Sequence, residues 1–449
     1  MKQTIFLVED FNNGKPVTLY EILYKNILEK NIEENKNTPW LRHTINLLLS
    51  KASNKIRFET LDNFKCQVEN NLINIDDYEV YYFIVPIHSF YSFSIFNLLS
   101  LKLENLNFLV NHNVKIIVDS CMEKSNLSDI IRLCYDTSAG SYLRGIENLE
   151  ILITVFSYGD ELERLNNYIK NSKFPNIKLI FCPMPFYWIF TDHKSNVFIE
   201  EFKKIINNLE QKKITNATKD WVAKSLKPRF NRVLFFANIF NRNLDQYGRF
   251  GINKPLSDAY KEYIKTFHLH QNALAPVNED ILEKLNTIVR LDMNNSDHFK
   301  DQFDKEFINI PLNPITNLDA TFCIVLEFYE PRNNSEIQNT LTDITEKLSW
   351  PILQGLPFIT FAGKDYKKIL AFLGFEPYYN IPFPEDPNFF NQLSTVLDFI
   401  ETFSKLSLKE KNNLLDLWRP TIIKNFTTFI NTDPAEIYIR CLKEDYKNF

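Results

Sequence analysis

Short runs of consecutive apolar residues, rich in β-branched and aromatic types, punctuate the first half of the chain. They lie at 3–8 (QTIFLV), 79–85 (EVYYFIV), 114–119 (VKIIVD), 149–156 (LEILITVF) and 177–182 (IKLIFC). Apolar runs of this length, bounded by polar turns, read as strands buried on both faces. Between them, apolar residues recur at helical spacing near 17–33, 91–107, 126–136 and 159–171, and again near 197–211. Strand and helix in alternation predict a parallel sheet covered by helices on both sides.

The segment 211–230 (QKKITNATKDWVAKSLKPRF) is polar and basic and reads as a connection. The pattern then restarts. Strands are expected at 232–237 (RVLFFA), 321–327 (TFCIVLE) and 357–361 (PFITF), with helices around 256–265, 278–285, 297–306, 343–354 and 365–372. Residues 388–449 read as two or three helices, with Pro434 near the start of the last. The fold class is therefore α/β: two doubly wound, Rossmann-like domains and a C-terminal helical tail. The expected boundaries are 1–210, a linker at 211–230, 231–400, and the tail at 401–449. Ligands of such sheets bind at the carboxyl ends of the strands. The cleft between two such domains is the default site.

Composition narrows the functional classes. A chain of 449 residues, 45% hydrophobic and 14% aromatic, supports large buried cores and more than one domain. The net charge of −5 disfavours nonspecific nucleic-acid binding, whose affinity comes from phosphate neutralisation. The six cysteines (Cys66, Cys121, Cys134, Cys182, Cys323, Cys441) form no C-x-x-C pair, which disfavours a zinc site or redox motif and suits a reducing cytoplasm. The opening MKQTIFLVED is too short in apolar residues for a signal peptide, and no stretch reaches the ~18 apolar residues of a membrane span. A soluble, cytoplasmic protein is expected.

Only nine glycines occur, and neither G-x-G-x-x-G nor G-x-x-x-x-G-K-[ST] is present. A dinucleotide-binding Rossmann enzyme and a P-loop enzyme are thus disfavoured. A bound nucleotide would have to be held by side chains and a helix N-terminus. The stretch Asp343–Gly363 (DITEKLSWPILQGLPFITFAG) suits that role. Thr342 or Thr345 can cap a helix whose first turn holds Glu346 and Lys347. Pro351 withholds the N–H that would bond the carbonyl of Lys347, so a kink is expected there. Gly355 suits the left-handed position after the helix, and Pro357 prevents its continuation. Lysine in a first turn opposes the helix dipole, and a capped helix with a stray lysine accounts for it as well as a binding role does. The dipole alone contributes only ~0.3–1 kcal/mol to an anion. A lysine adds a full charge, and neighbouring helical side chains diverge by ~100°, which leaves Glu346 free to reach elsewhere.

The ordered pieces Phe322-Cys-Ile-Val-Leu-Glu327, Ile344-Thr-Glu-Lys-Leu348, Gly355-Leu-Pro357 and Gly363 resemble the donor-binding signature of α1,3-fucosyltransferases. They are also similar to glycosyltransferase-like proteins of phages and marine bacteria. In those, an Asn-Arg motif precedes Thr-Glu-Lys, a downstream proline, Gly-x-Pro-Phe and Gly-Phe. The corresponding residues here are Asn241-Arg242, Thr345-Glu346-Lys347, Pro351, Gly355–Phe358 and Gly374-Phe375. The resemblance covers roughly 231–376. It implies a GT-B-type glycosyltransferase that moves a sugar from a nucleotide diphosphate donor, with no metal needed for the chemistry and no cofactor besides the donor. It assigns Glu346 to the donor ribose and Lys347 to the diphosphate, with Thr345, Glu327 and Gly363 in the donor site. Arg242 or Arg249 would complete the phosphate clamp. The Asn-Arg run departs from the family pattern, with arginines and a histidine absent from Asn241–Arg249, and the asparagine expected after Glu327 is Phe328. The resemblance leaves the acceptor open among a glycan, a protein, a small molecule and modified DNA. It places the protein in the cytoplasm of a bacterium or a phage-infected host.

An inverting transfer also needs a base for the acceptor hydroxyl. Asp10, His88, Asp119 and Glu123 qualify by their places after strands, with Glu123 and Asp119 preferred. Each equally fits an ordinary loop or cap residue. His268 and His270 alternate as packing or surface residues on a strand would. The basic stretch Lys224–Arg232 (KSLKPRFNR) reads as a solvated linker, although an enzyme that sugars DNA bases would use such a patch. Two other functions fit the same scaffold. A nucleotide-sugar epimerase would keep the donor clamp and add an acid–base pair. A non-catalytic binding module would keep the fold alone.

Overall fold

The structure is a computed structural model. It describes residues 2–8, 56–84, 103–119, 149–155, 157–171, 176–184, 186–187, 195–225, 230–252, 279–285, 320–327, 342–344, 346–361, 365–383, 385–386 and 388–443. The chain forms two units. Unit 1 is Met1–His193 with Asp433–Phe449, and unit 2 is Lys194–Thr432.

Unit 1 is built on six parallel strands: β1 (Gln3–Val8), β2 (Ile56–Thr60), β3 (Tyr78–Ile84), β4 (Lys115–Asp119), β5 (Ile151–Val155) and β6 (Ile177–Phe181). Their order across the sheet is β2-β1-β3-β4-β5-β6. Every neighbouring pair is parallel, from Thr4 opposite Ile56 at one edge to Val155 opposite Phe181 at the other. Ile5, Phe6 and Leu7 are all fully buried, as the unbroken apolar run requires of a strand covered on both faces. Helices α1 (Leu61–Glu69), α2 (Leu103–Asn111) and α3 (Asp160–Lys170) lie between strands in the chain. The side chain of Thr60 accepts from Asn63 N–H and caps α1. An aromatic cluster joins Phe6 to Phe58 (5.3 Å), Phe83 (5.8 Å) and Tyr438 (6.1 Å). Tyr438 comes from the last described helix, so the core of this unit is completed by residues more than 400 positions downstream of its first strand.

Among the described residues unit 2 has four parallel strands, β7 (Lys219–Ser225), β8 (Gly248–Ile252), β9 (Ala320–Leu326) and β10 (Phe358–Phe361), in the order β10-β9-β7-β8. Among its helices are α4 (Ser195–Asn207), α5 (Phe230–Asn241), α6 (Glu346–Leu353), α7 (Tyr366–Phe372), α8 (Phe389–Ser404) and α9 (Leu408–Asn431), and residues 279–285 are also helical. The final helix, α10 (Pro434–Lys443), belongs to unit 1. In each sheet one strand has its successors in the chain on opposite sides: β1 between β2 and β3, β7 between β8 and β9. Both are doubly wound α/β sheets with a switch point beside that strand.

Three expectations are corrected. The run 232–237 is helical, the heart of α5, and not a strand. Asn231 to Ile239 are all buried, and a helix enclosed on every side shows no polar face from which its period can be read. The connection placed at 211–230 contains β7, the central strand. Its flanking lysines hid a buried centre, Trp221-Val222-Ala223. Finally, α4 belongs to unit 2, with its Ile206 against Gly355. The segment after it is tied to α9: the Ile214 N–H donates to Asn412 Oδ1 at 2.9 Å, and the Asn412 amide donates back to the Ile214 carbonyl at 3.0 Å. The helices expected at 17–33, 126–136, 256–265 and 297–306 lie outside the described residues, and so does most of the helix expected at 91–107.

The glycine at 355 has the left-handed φ of 63° expected of it. Leu356 N–H bonds the Pro351 carbonyl at 2.9 Å and Gly355 N–H bonds the Ile352 carbonyl at 3.3 Å. This is the paired-bond helix stop. Gly374 (φ 83°) repeats it after α7, with Phe375 N–H on the Leu370 carbonyl at 2.8 Å. Gly248 serves a different need, close approach: a methyl group there would overlap the indole of Trp221. Trp221 is wholly buried and stacks on Phe250 (5.4 Å), which stacks on Phe236 (5.2 Å). Gly248→Ala is therefore expected to destabilise unit 2 by about 1–3 kcal/mol through forced repacking. Urea unfolding followed by tryptophan fluorescence measures it, and an unchanged midpoint would show that the indole moves freely.

Candidate functional site

The carboxyl ends of β7 and β9 flank the switch point of unit 2. Two helices begin there, because each crossover in a parallel sheet returns antiparallel to the strand before it. Helix α5 follows β7 after four residues, and α6 precedes β10. Their N-termini carry the positive ends of the helix dipoles.

Glu327 is the residue directly after β9, and its side chain is fully buried. A buried carboxylate needs a counter-charge and hydrogen bonds to remain in the fold. The counter-charge is Lys347, second residue of α6, whose Nζ lies 3.5 Å from Glu327 Oε2. The lysine side chain keeps 28% of its surface open to solvent, against 0% for the glutamate. Lys347 is thus anchored at its tip while part of its side chain stays accessible to solvent.

Asn231, second residue of α5, completes the arrangement from the other side. Its amide Nδ2 donates to the backbone carbonyl of Glu327 at 2.6 Å. That bond fixes the amide orientation, since only the NH2 can donate to a carbonyl. Asn231 is 0% exposed, and its Oδ1 has no hydrogen-bond partner. An orphaned buried acceptor costs about 1–3 kcal/mol, which packing alone gives no reason to keep. Arg232, beside it in the first turn, is 4% exposed.

Helix α6 holds this geometry because its other side is locked in the core. Ile344, Leu348, Ile352 and Leu353 are buried to 1% exposure or less. Pro351 removes the intrahelical bond to the Lys347 carbonyl, and the helix stops three residues after Lys347's next turn, at Leu353.

The structure brings Glu327 and Lys347 together but not the two arginines. Arg242 follows the far end of α5, about 16 Å along the helix axis from Asn231 at 1.5 Å per residue. There it pairs through Nη1 with Asp398 and, at 3.6 Å, with Glu401, both on α8. Arg249 is the second residue of β8, opposite Val222, and exposed. Both are therefore toward the amino end of the sheet, away from the switch point. Glu346 opens α6, but its side chain is not described. Thr345, Gly363, Glu123, Asp10, His88, His268 and His270 lie outside the described residues. Asp119 ends β4 in unit 1, opposite Thr154, with its side chain likewise undescribed.

Asn231 and Arg232 do not stand out in the sequence, because the segment reads as a linker followed by a strand. The signal was length: the apolar run Val233–Ala237 resumes at Ile239-Phe240 after the single Asn238, beyond an ordinary buried strand, and Pro228 stands just ahead of it. Among the described residues there is no group of three or more potential metal ligands, and no helix is long and apolar enough to cross a membrane.

No protein-family model matches the chain, and no curated protein matches it significantly. Among solved structures it is similar to a UDP-forming α,α-trehalose-phosphate synthase from Burkholderia vietnamiensis, with 9% identity, 100% of each chain covered and a TM-score of 0.37. It is also similar to the corresponding synthase from Burkholderia xenovorans (8% identity, 99% of each chain, TM-score 0.36). A third is a glycosyltransferase from Rickettsia africae ESF-5 (12% identity, 99% of this chain and 100% of that one, TM-score 0.35). Likenesses at this level carry no assignment, so the fold class rests on strand order and register: an α/β chain of two doubly wound parallel sheets.

Proposed function

We propose that the chain is a glycosyltransferase that takes a sugar from a nucleotide diphosphate donor, with the diphosphate held at the switch point of unit 2. The observation that carries this reading is Lys347, in the first turn of α6, whose side chain is 28% exposed while its Nζ lies 3.5 Å from a fully buried carboxylate. A cation and a helix N-terminus converging at the carboxyl end of a doubly wound sheet form a site for an anion. The ordered motif from Glu327 to Gly363 supports the same reading through its resemblance to fucosyltransferase donor sites.

In the proposed reaction the bond between the sugar and the diphosphate breaks, and its electron pair stays on the leaving phosphate oxygen. Lys347 and the α6 N-terminus stabilise that charge where it develops. Glu346 takes the ribose hydroxyls. Because Arg242 is committed to α8 and Arg249 lies toward the amino end of the sheet, Lys347 is the cation assigned to the diphosphate. The acceptor hydroxyl attacks the sugar carbon and passes its proton to a carboxylate of unit 1, for which Asp119 and Glu123 stand proposed. The acceptor class stays as broad as the sequence left it: glycan, protein, small molecule or modified DNA.

Calorimetry with UDP, GDP, ADP and CDP tests the reading. At least one is expected to bind, and binding by none of them would end it. Incubating the matching nucleotide sugar without acceptor then separates the alternatives. A transferase yields at most slow hydrolysis, whereas an epimerase returns a changed sugar and a binding module leaves it intact.

A further inference from the structure

We infer that Glu327 is a positioning residue that acts through Lys347: its carboxylate, held in place by the Asn231 amide on its own backbone carbonyl, fixes the lysine ammonium where a diphosphate must meet it. This rests on the donor site proposed above and assigns Glu327 to support of that site in place of direct donor contact.

A side chain with no solvent-exposed surface cannot reach a ligand arriving from solvent, and Glu327 has none. Its reach is inward, to Lys347 at 3.5 Å. The backbone carbonyl of the same residue receives Asn231 Nδ2 at 2.6 Å, so the carboxylate is borne on a main chain pinned from the neighbouring helix. The two contacts link β9 to the first turns of both α5 and α6. Lysine is the cation that most needs such help. It is a point charge on a four-carbon stem with many rotamers, and it lacks the rigid fork of arginine. Ordering it in advance removes an entropy loss that binding would otherwise carry, worth about tenfold in affinity.

Two effects oppose each other when Glu327 becomes glutamine. The lysine loses its tether, which weakens diphosphate binding. The site also loses a negative charge, which strengthens it. The carboxylate is wholly buried and the lysine side chain is partly exposed, so a phosphate meets the lysine and not the carboxylate, and the tether is expected to win.

A double-mutant cycle decides it. Wild type, Glu327→Gln, Lys347→Gln and the double variant are titrated with the tightest-binding of the four nucleoside diphosphates and with its parent nucleoside. Glu327→Gln should weaken the diphosphate about tenfold and leave the nucleoside within about twofold. In the Lys347→Gln background the same change should have no further effect. Tighter diphosphate binding would overturn the inference in favour of a charge brake. Unchanged binding, equal losses for diphosphate and nucleoside, or losses that add across the cycle would overturn it as well. Should Glu327→Gln fail to fold, Glu327→Asp takes its place, with a diphosphate-specific loss still expected and its absence decisive. If wild type binds no nucleoside diphosphate, the failure lies with the proposed function and takes the inference with it.

Discussion

Lys411→Met is expected to destabilise unit 2 by about 3–5 kcal/mol at neutral pH, because it strands a buried carboxylate. Lys411, in the first turn of α9, donates to Asp220 Oδ1 of β7 at 2.6 Å. Both side chains are sheltered, at 12% and 6% exposure, and the ammonium also lies 5.4 Å from the centre of the Phe403 ring. Burial pushes the Asp220 carboxyl above its ordinary range, while the hydrogen bond and charge of Lys411 pull it back. Without the lysine it must rise further. A carboxyl with a raised folded-state value contributes fully below its unfolded value and loses that contribution as pH climbs through the folded one. The deficit of Lys411→Met against wild type should therefore be small below about pH 4 and grow toward neutrality. Urea unfolding across pH 4–8 measures this, with Trp221 and Trp418 as buried reporters in the same unit. Asp220→Asn together with Lys411→Met should recover much of the loss, since no unpaired charge is then left buried. A deficit that stays constant with pH would show that Asp220 is not the group responsible.

Glu346→Ala with Lys347→Ala is expected to weaken nucleoside diphosphate binding by about 100- to 10,000-fold. Each residue is assigned one charge-assisted contact, worth about 1.5–3 kcal/mol, and tenfold in affinity corresponds to about 1.4 kcal/mol. Removing Lys347 also takes away an ion pair of the buried Glu327. The variant is therefore made with Glu327→Gln as well, and both forms are checked by thermal melting before titration. Lys347→Arg should keep part of the affinity, because it keeps the charge but changes the geometry. Wild-type affinity should fall with added salt more steeply than that of Lys347→Ala, as the exposed part of the lysine is screened. Binding as tight as wild type in the Glu346/Lys347 variant would sink the donor site.

The strands at 3–8 and 149–156 were legible because both faces of an inner parallel strand are covered, so the run is unbroken and its ends are abrupt. Helix α6 was legible from its stop, where Gly355 and Pro357 leave few alternatives. The central strand β7 was not. Its sequence KDWVAKS has only three consecutive apolar residues, and its polar members serve long-range contacts that no local pattern shows: Asp220 pairs with a lysine 191 positions away. Helix α5 failed for the opposite reason, since uniform burial erased its period. At the site, Lys347 and Glu327 could be picked out by their motif. Their pairing, the amide of Asn231 behind them and the diversion of Arg242 to α8 depend on which helix ends the topology brings to which edge of the sheet.

The placement of α10 has a consequence for biogenesis. A ribosome delivers β1 to β6 long before Tyr438, the ring that packs on Phe6 and Phe83. The earlier-made unit must wait with an aromatic cavity unfilled until α10, which follows all of unit 2 in the chain, has emerged. Order of synthesis and order of completion are thus reversed, and the first-made half is the one most exposed to chaperones and proteases in the interval.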